Sequence, residues 1–359
     1  MKSKKQKMID FLLKNANPSI KLRVKKEVLN SLTKEEAEMY QEQIMKEPII
    51  QKIIVCQREN GWIGDGLHGY LDSQEGGTKY LAEKGIDKNT PVLKRAMEAF
   101  ATIPLDDKSY TKIGRIIDVF KYPAIGNELI RGACIARARY DDIIDIKPLI
   151  RLSLDSFKRV LEVDSILDVS RPIQGGKKLV FKENEKWPCR YHLDILAHTD
   201  SWKNENNIKI IADSVAKMMK TDQPELVNLI PQVWIGHPIG TLGAFPVQGL
   251  SVMCTGIFPF PITHPQGKSL DYNVEYIEWF ARCGIVPHIP ALQKVVNEIM
   301  DYVDDDGICH LPVKYVDLYK GWGPYGGLQL ETDWKSKTRK ACDITFRALL
   351  ILHYADNNP

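Results

Sequence analysis

Between Gly64 and Gly77 the chain reads Gly-Asp-Gly-Leu-His-Gly-Tyr-Leu-Asp-Ser-Gln-Glu-Gly-Gly, one histidine among three acids. Imidazole exchanges a proton near neutral pH, a carboxylate in reach orients it, and glycines let backbone approach a ligand closely. His68 with Asp72 or Glu75 is therefore the leading proton-transfer pair, and Asp65 and the preceding Trp62 are assigned to ligand contact. No Gly-Lys-Ser/Thr follows, so the stretch is not a phosphate loop, and it lacks metal-ligand spacing. Its other reading is a solvated turn whose side chains cap the next helix.

A second group is Arg190-Tyr191-His192-Leu193-Asp194 with His198. On a helix Asp194 and His198 share a face and can orient one another, whereas His192 falls on a different face. His192 and Asp194 are candidates for proton transfer, and Arg190 and His198 for substrate contact. The competing reading is a buried polar cluster tying this helix to the hairpin before it. Trp234 and His237 open a glycine-, proline- and phenylalanine-rich stretch running to Gly267, and both are read as substrate contacts. Such an apolar segment suits a lid, a pocket wall or a homo-oligomer contact rather than disorder.

The elements that must position these groups are helical. Asn17-Pro18-Ser19 separates a first helix from a second, Thr33-x-x-Glu36 is a capping box, and Pro48 and Thr90-Pro91 stand at helix starts. Val92, Leu93, Ala96, Met97 and Phe100 form one apolar stripe. Further helices fit about 109–120, 124–140, 146–162, 205–220, 223–230, 272–284, 290–303 and 340–354. Gly175-Gly176 before Lys178-Leu179-Val180-Phe181 predicts a small β-hairpin near 165–188, and 234–267 reads as a long irregular loop. Two distant stretches, Gln57-Arg58-Glu59-Asn60-Gly61-Trp62 and Val303-Asp304-Asp305-Asp306-Gly307-Ile308, share one design: a helix end, a polar turn closed by glycine, then an apolar residue. Stacked helix pairs need such turns.

Composition narrows the function classes. The 359 residues are 44% hydrophobic and 26% charged, sufficient for a sizeable core. Basic and acidic residues number 49 and 46 and are interspersed, so no basic face for nucleic acid or an anionic membrane stands out. No run reaches the roughly 20 apolar residues of a membrane-spanning helix. Seven scattered cysteines without a C-x-x-C point to reduced thiols in the cytoplasm and away from structural zinc. Neither a metal nor a cofactor is expected.

The Gln57 to Trp62 stretch resembles the glutamine–tryptophan repeat of squalene and terpenoid cyclases and the related turn of protein prenyltransferase β subunits, although tryptophan here follows the glycine directly. The whole chain is similar to a group of uncharacterised clostridial proteins of this toroid type, through Asn17-Pro18-Ser19-Ile20, Trp187-Pro188 with Tyr191-His192-Leu193, Thr199-x-x-Trp202, Tyr325-Gly326-Gly327-Leu328 and Asp343-Ile344-Thr345-Phe346-Arg347. The resemblance implies an all-α fold, an α/α toroid spanning 1–359 as a single domain, whose loops 61–77, 187–198 and 234–267 meet at one mouth. Two family signatures are missing: Tyr302 stands where the cyclase acid motif begins, and Gly307 where prenyltransferases place a zinc-binding aspartate.

The resulting expectation is acid–base chemistry on a small apolar or isoprenoid-like ligand. Carbohydrate lyase or hydrolase chemistry is the enzymatic alternative, and a noncatalytic ligand-binding or scaffold protein is the other; no motif decides among them.

Overall fold

The computed structural model describes residues 3–105, 127–164, 166–173, 178–182, 185, 188–220, 234–237, 240–248, 251–252, 274–312, 321–322 and 327–357. Of 166–167, 170–173, 178–181, 219–220, 234–237, 240–248, 251–252 and 357 only the backbone is described. The expected helices over 109–120 and 223–230 lie outside these residues.

The chain is predominantly helical, and no described helix is long and apolar enough to cross a membrane. It packs as two compact units, the first comprising 1–112, 272–284 and 290–359 and the second 113–271 and 285–289. In the first unit lie α1 (Lys4–Asn15), α2 (Pro18–Arg23) running into a π-helical turn (Val24–Val28), α3 (Lys34–Met45), α4 (Pro48–Cys56), α5 (Gln74–Glu83) and α6 (Pro91–Thr102). The second holds α7 (Asn127–Arg137), α8 (Lys147–Leu161), the single turn α9 (Ile166–Val169), α10 (Arg190–Ala197) and α11 (Glu205–Lys220). Helices α12 (Val274–Arg282), α13 (Pro290–Asp301) and α14 (Lys337–Asn357) return to the first.

The helix starts have local causes. Asn17 accepts from the Ile20 amide and caps α2, Thr33 and Glu36 close a capping box on α3, and prolines occupy the first turn of α2, α4, α6 and α8. Two helix types then alternate. Helices α6, α8 and α13 bury one stripe, such as Leu292, Val295, Val296 and Ile299, whereas α5, α7, α10 and α12 are buried on nearly every side. In the first unit α14 packs against α1, α2, α12 and α13, and in the second α10 packs against α7 and α8.

The two glycine turns have one geometry. Gln57 bridges Ile63 as Val303 bridges Cys309, and the Arg58 amide donates to the Trp62 carbonyl at 2.8 Å as the Asp304 amide does to Ile308 at 3.0 Å. Gly61 and Gly307 have φ of +89° and +83°, and a Cβ would lie 2.2 Å from the Arg95 carbonyl oxygen at the first and 2.3 Å from the Lys7 carbonyl carbon at the second. Both turns thus dock directly on the backbone of a one-faced helix, α6 and α1. A basic side chain of that helix completes each: Arg95 Nη2 donates to the Arg58 and Glu59 carbonyls at 2.9 and 2.8 Å, and Lys7 Nζ to the Asp305 carbonyl at 2.5 Å.

The second unit also contains short extended segments in the order β1-β2-β3-β4-β5. β1 (Ser170–Ile173) pairs antiparallel with β2 (Lys178–Phe181), and β2 runs parallel to β3 (Trp234–His237). β3 and β5 (Ser251–Val252) each pair antiparallel with β4 (Gly240–Gln248). The start of the stretch expected as irregular loop therefore has extended, paired backbone; 253–267 lies outside the described residues.

Candidate functional site

In the first unit the 64–73 segment folds back over the start of α5. The Gln74 and Glu75 amides, unsatisfied within a first helical turn, donate to the Gly66 and Leu67 carbonyls, each at 2.9 Å. Ser73 caps the helix by accepting from the Gly76 amide at 3.1 Å. The Gln74 side chain accepts from the Ile63 amide at 2.8 Å and donates to the Ala96 carbonyl at 2.7 Å, fastening the segment to α6. These bonds bring His68 Nδ1 against Glu75 Oε2. The imidazole is 18% exposed and the carboxylate 5%. The Nδ1 contact with a buried carboxylate fixes the orientation of the ring.

The other candidates of this segment differ from the pair in burial and partners. Asp72 is exposed, and Asp65, also exposed, pairs with Arg58. Trp62 is fully buried, its ring edge-on to Phe100 at 5.7 Å, and so belongs to the core.

Behind the pair runs a feature absent from the sequence expectations. Glu75, Lys79 and Glu83 follow one another at intervals of four on α5 and so share a face. Lys79 Nζ lies 2.7 Å from Glu275 Oε1 of α12, with both side chains buried. Glu83 belongs to a closed circuit of alternating charge. Arg23 contacts Glu27 at 2.5 Å and Glu83 at 2.8 Å; Arg347 contacts Glu83 at 2.9 Å and Glu278 at 3.2 Å; Arg282 contacts Glu278 at 2.8 Å and Glu27 at 3.0 Å. Each arginine stands between two glutamates and each glutamate between two arginines, so the circuit is neutral. Tyr354 donates to Glu27 at 2.9 Å, and the Arg282 guanidinium lies 4.1 Å from the Tyr354 ring centre.

Burial alone would lower the Arg23 guanidinium and raise the Glu27 carboxyl. The Glu27 and Glu83 charges nonetheless hold Arg23 above its ordinary range, while Arg23 and Arg282 hold Glu27 below the usual carboxylate range. The signal was present in the sequence: Glu75, Lys79 and Glu83, and Glu275, Glu278 and Arg282, are charges at helical spacing.

The candidates near α10 belong to the second unit. Arg190, His192, Asp194 and His198 are all buried. His192 Nδ1 accepts from the Cys189 amide at 2.9 Å, and burial pushes its pKa down to about 3, so the ring is neutral at physiological pH. Asp194 lies 2.9 Å from both Arg137 Nε and His198 Nδ1, and the Arg190 guanidinium sits 5.7 Å from the Tyr191 ring centre. Trp234 and His237 are placed in β3 by their backbone; their side chains lie outside the described residues.

Among the described residues no group of three or more histidines, cysteines and carboxylates could hold a metal ion, and none of the described cysteines is in a disulfide. No family model, curated protein or solved structure matches this chain.

Proposed function

We propose that this chain is an acid–base catalyst in which His68 exchanges the proton and Glu75 orients it, acting on a small molecule at the start of α5. The carrying observation is the contact of a partly exposed imidazole with a buried carboxylate, the arrangement general acid–base catalysis requires. Of the two substrate classes, the isoprenoid-like one leans on the resemblance to cyclases and on the 234–267 segment. The Lys79–Glu275 pair stands one helical turn along α5, and charged groups so close favour a polyhydroxylated, carbohydrate-like substrate.

We also propose that the helix pairs close into an α/α toroid, as the resemblance to cyclases and prenyltransferases implies. Support comes from the alternation of one-faced and buried helices and from the paired glycine turns. The turn after α4 docks on α6, and the turn after α13 docks on α1, which packs on α14. The last helix pair thus meets the first helix as an internal pair meets its successor.

The test is incubation of the protein with oligosaccharides and, separately, isoprenoid diphosphates, with products read by mass spectrometry. Turnover of an oligosaccharide that falls by about 10²- to 10⁴-fold in His68→Ala, and also falls in Glu75→Gln, is the expected result. Turnover unchanged in both variants would remove the pair from catalysis, and saturable binding without turnover would make the protein a noncatalytic binder.

A further inference from the structure

We infer that the first unit carries a second, noncatalytic ligand site, a cleft of about 320 Å³ between the π-helical turn, α3 and the turn that follows α5. Its volume stands at the small end of the roughly 300–1,000 Å³ of ligand pockets. Two backbone irregularities flank it. Val24–Val28 is π-helical, a rare form found mostly as single turns and frequently at functional sites. Asn30, on the cleft wall, has φ of +47°, a left-handed conformation that asparagine adopts more readily than most residues.

The polar groups of the cleft differ in what they can offer. Gln41 bonds the turn through both amide atoms, its Nε2 donating to the Gly85 carbonyl at 2.6 Å and its Oε1 accepting from the Asp87 amide at 3.2 Å. It therefore acts as a clip that holds the Asp87 turn in place. The Asp87 carboxylate uses Oδ1 to accept from the Asn89 amide at 2.8 Å and is otherwise exposed at the rim. Lys26, exposed on the π-helical turn, pairs with no carboxylate among the described residues. Leu22 and Leu32 supply apolar lining.

An ammonium and a carboxylate flanking a small apolar surface recognise a zwitterion: the ligand carboxylate meets Lys26, its ammonium meets Asp87, and its side chain rests on the leucines. The ligand class is thus a free amino acid with an apolar side chain. Both groups are exposed and screened by solvent, so loss of one charge weakens binding about two- to fivefold.

The test is a titration of the full chain, followed by amide and side-chain NMR shifts, with L-leucine, L-leucinamide and 4-methylpentanoate as separate probes. Expected are saturable shifts at Asn30, Gln41 and Asp87 with leucine. Binding should be about two- to fivefold weaker for each single-charge analogue and for Asp87→Asn and Lys26→Met. No saturable shift with leucine up to about 10 mM, equal affinity for an analogue, or unchanged affinity in both variants would overturn the assignment. Both substitutions are at exposed positions, and the readout is independent of any activity of His68.

Discussion

Replacing Arg347 by methionine removes one cation from the buried circuit while keeping most of the side-chain volume. Arg347 is 1% exposed and bonds Glu83, Glu278 and the Leu328 carbonyl. After its loss Glu83 retains Arg23 at 2.8 Å and Glu278 retains Arg282 at 2.8 Å, so the circuit keeps its chain of contacts but carries one uncompensated negative charge. Breaking a buried pair by removing one partner costs about 3–5 kcal/mol, a large share of a total stability of about 5–15 kcal/mol. Glu83→Gln in the same background restores neutrality. The double variant should therefore lose less than the sum of the single losses, by at least about 1 kcal/mol, as contacting charges couple. Hydrogen exchange of the α5 and α14 amides reads the opening free energy of this region without requiring the two units to unfold together. A cost below about 1 kcal/mol for Arg347→Met, or additivity within about 0.5 kcal/mol, would refute the view that the charges act as one neutral network.

Glu331 gives a pH prediction. Burial, reinforced by the Asp343 charge and partly offset by the Asn17 amide donating at 2.7 Å, raises its pKa from 4.5 to about 7. The folded state then holds more protons than the unfolded one between these values. The stabilisation is fully present below about pH 4.5 and is lost as pH rises through about 7; at about 1.4 kcal/mol per pKa unit it amounts to roughly 3 kcal/mol. Glu331→Gln should flatten that part of the stability profile measured by urea unfolding, and an unchanged slope between about pH 5 and 8 would count against a raised Glu331 pKa. Gly61→Ala and Gly307→Ala should each cost several-fold more than Gly321→Ala. All three positions have positive φ, which costs roughly 1–2 kcal/mol, but only at Gly321 would the new methyl meet nothing within 4 Å. Equal melting-temperature losses would show that the turns are not held against α6 and α1.

Much of the helical layout was legible because its signals are local. Asn17, Thr33 with Glu36, Pro48 and Pro91 each start a helix by satisfying or lacking an amide within one turn, and Gly61 and Gly307 end turns through a φ that glycine readily adopts. The glycine-rich stretch could likewise be marked as a place for chemistry from residue types alone. The sequence offered both Asp72 and Glu75 as partners for His68. Selection of Glu75 depends on the chain folding back so that Gly66 and Leu67 cap α5, which leaves Asp72 in solvent. Trp62 could be read as a ligand contact until its ring was placed against Phe100. The charged circuit was the least legible feature. Its arginines and glutamates stand at helical spacing on α5 and α12, but residues some 250 positions apart, such as Glu27 and Arg282, become neighbours only when α2, α5, α12 and α14 pack together. A charge can remain buried there only with its partner beside it, and that pairing is a property of the packed helices.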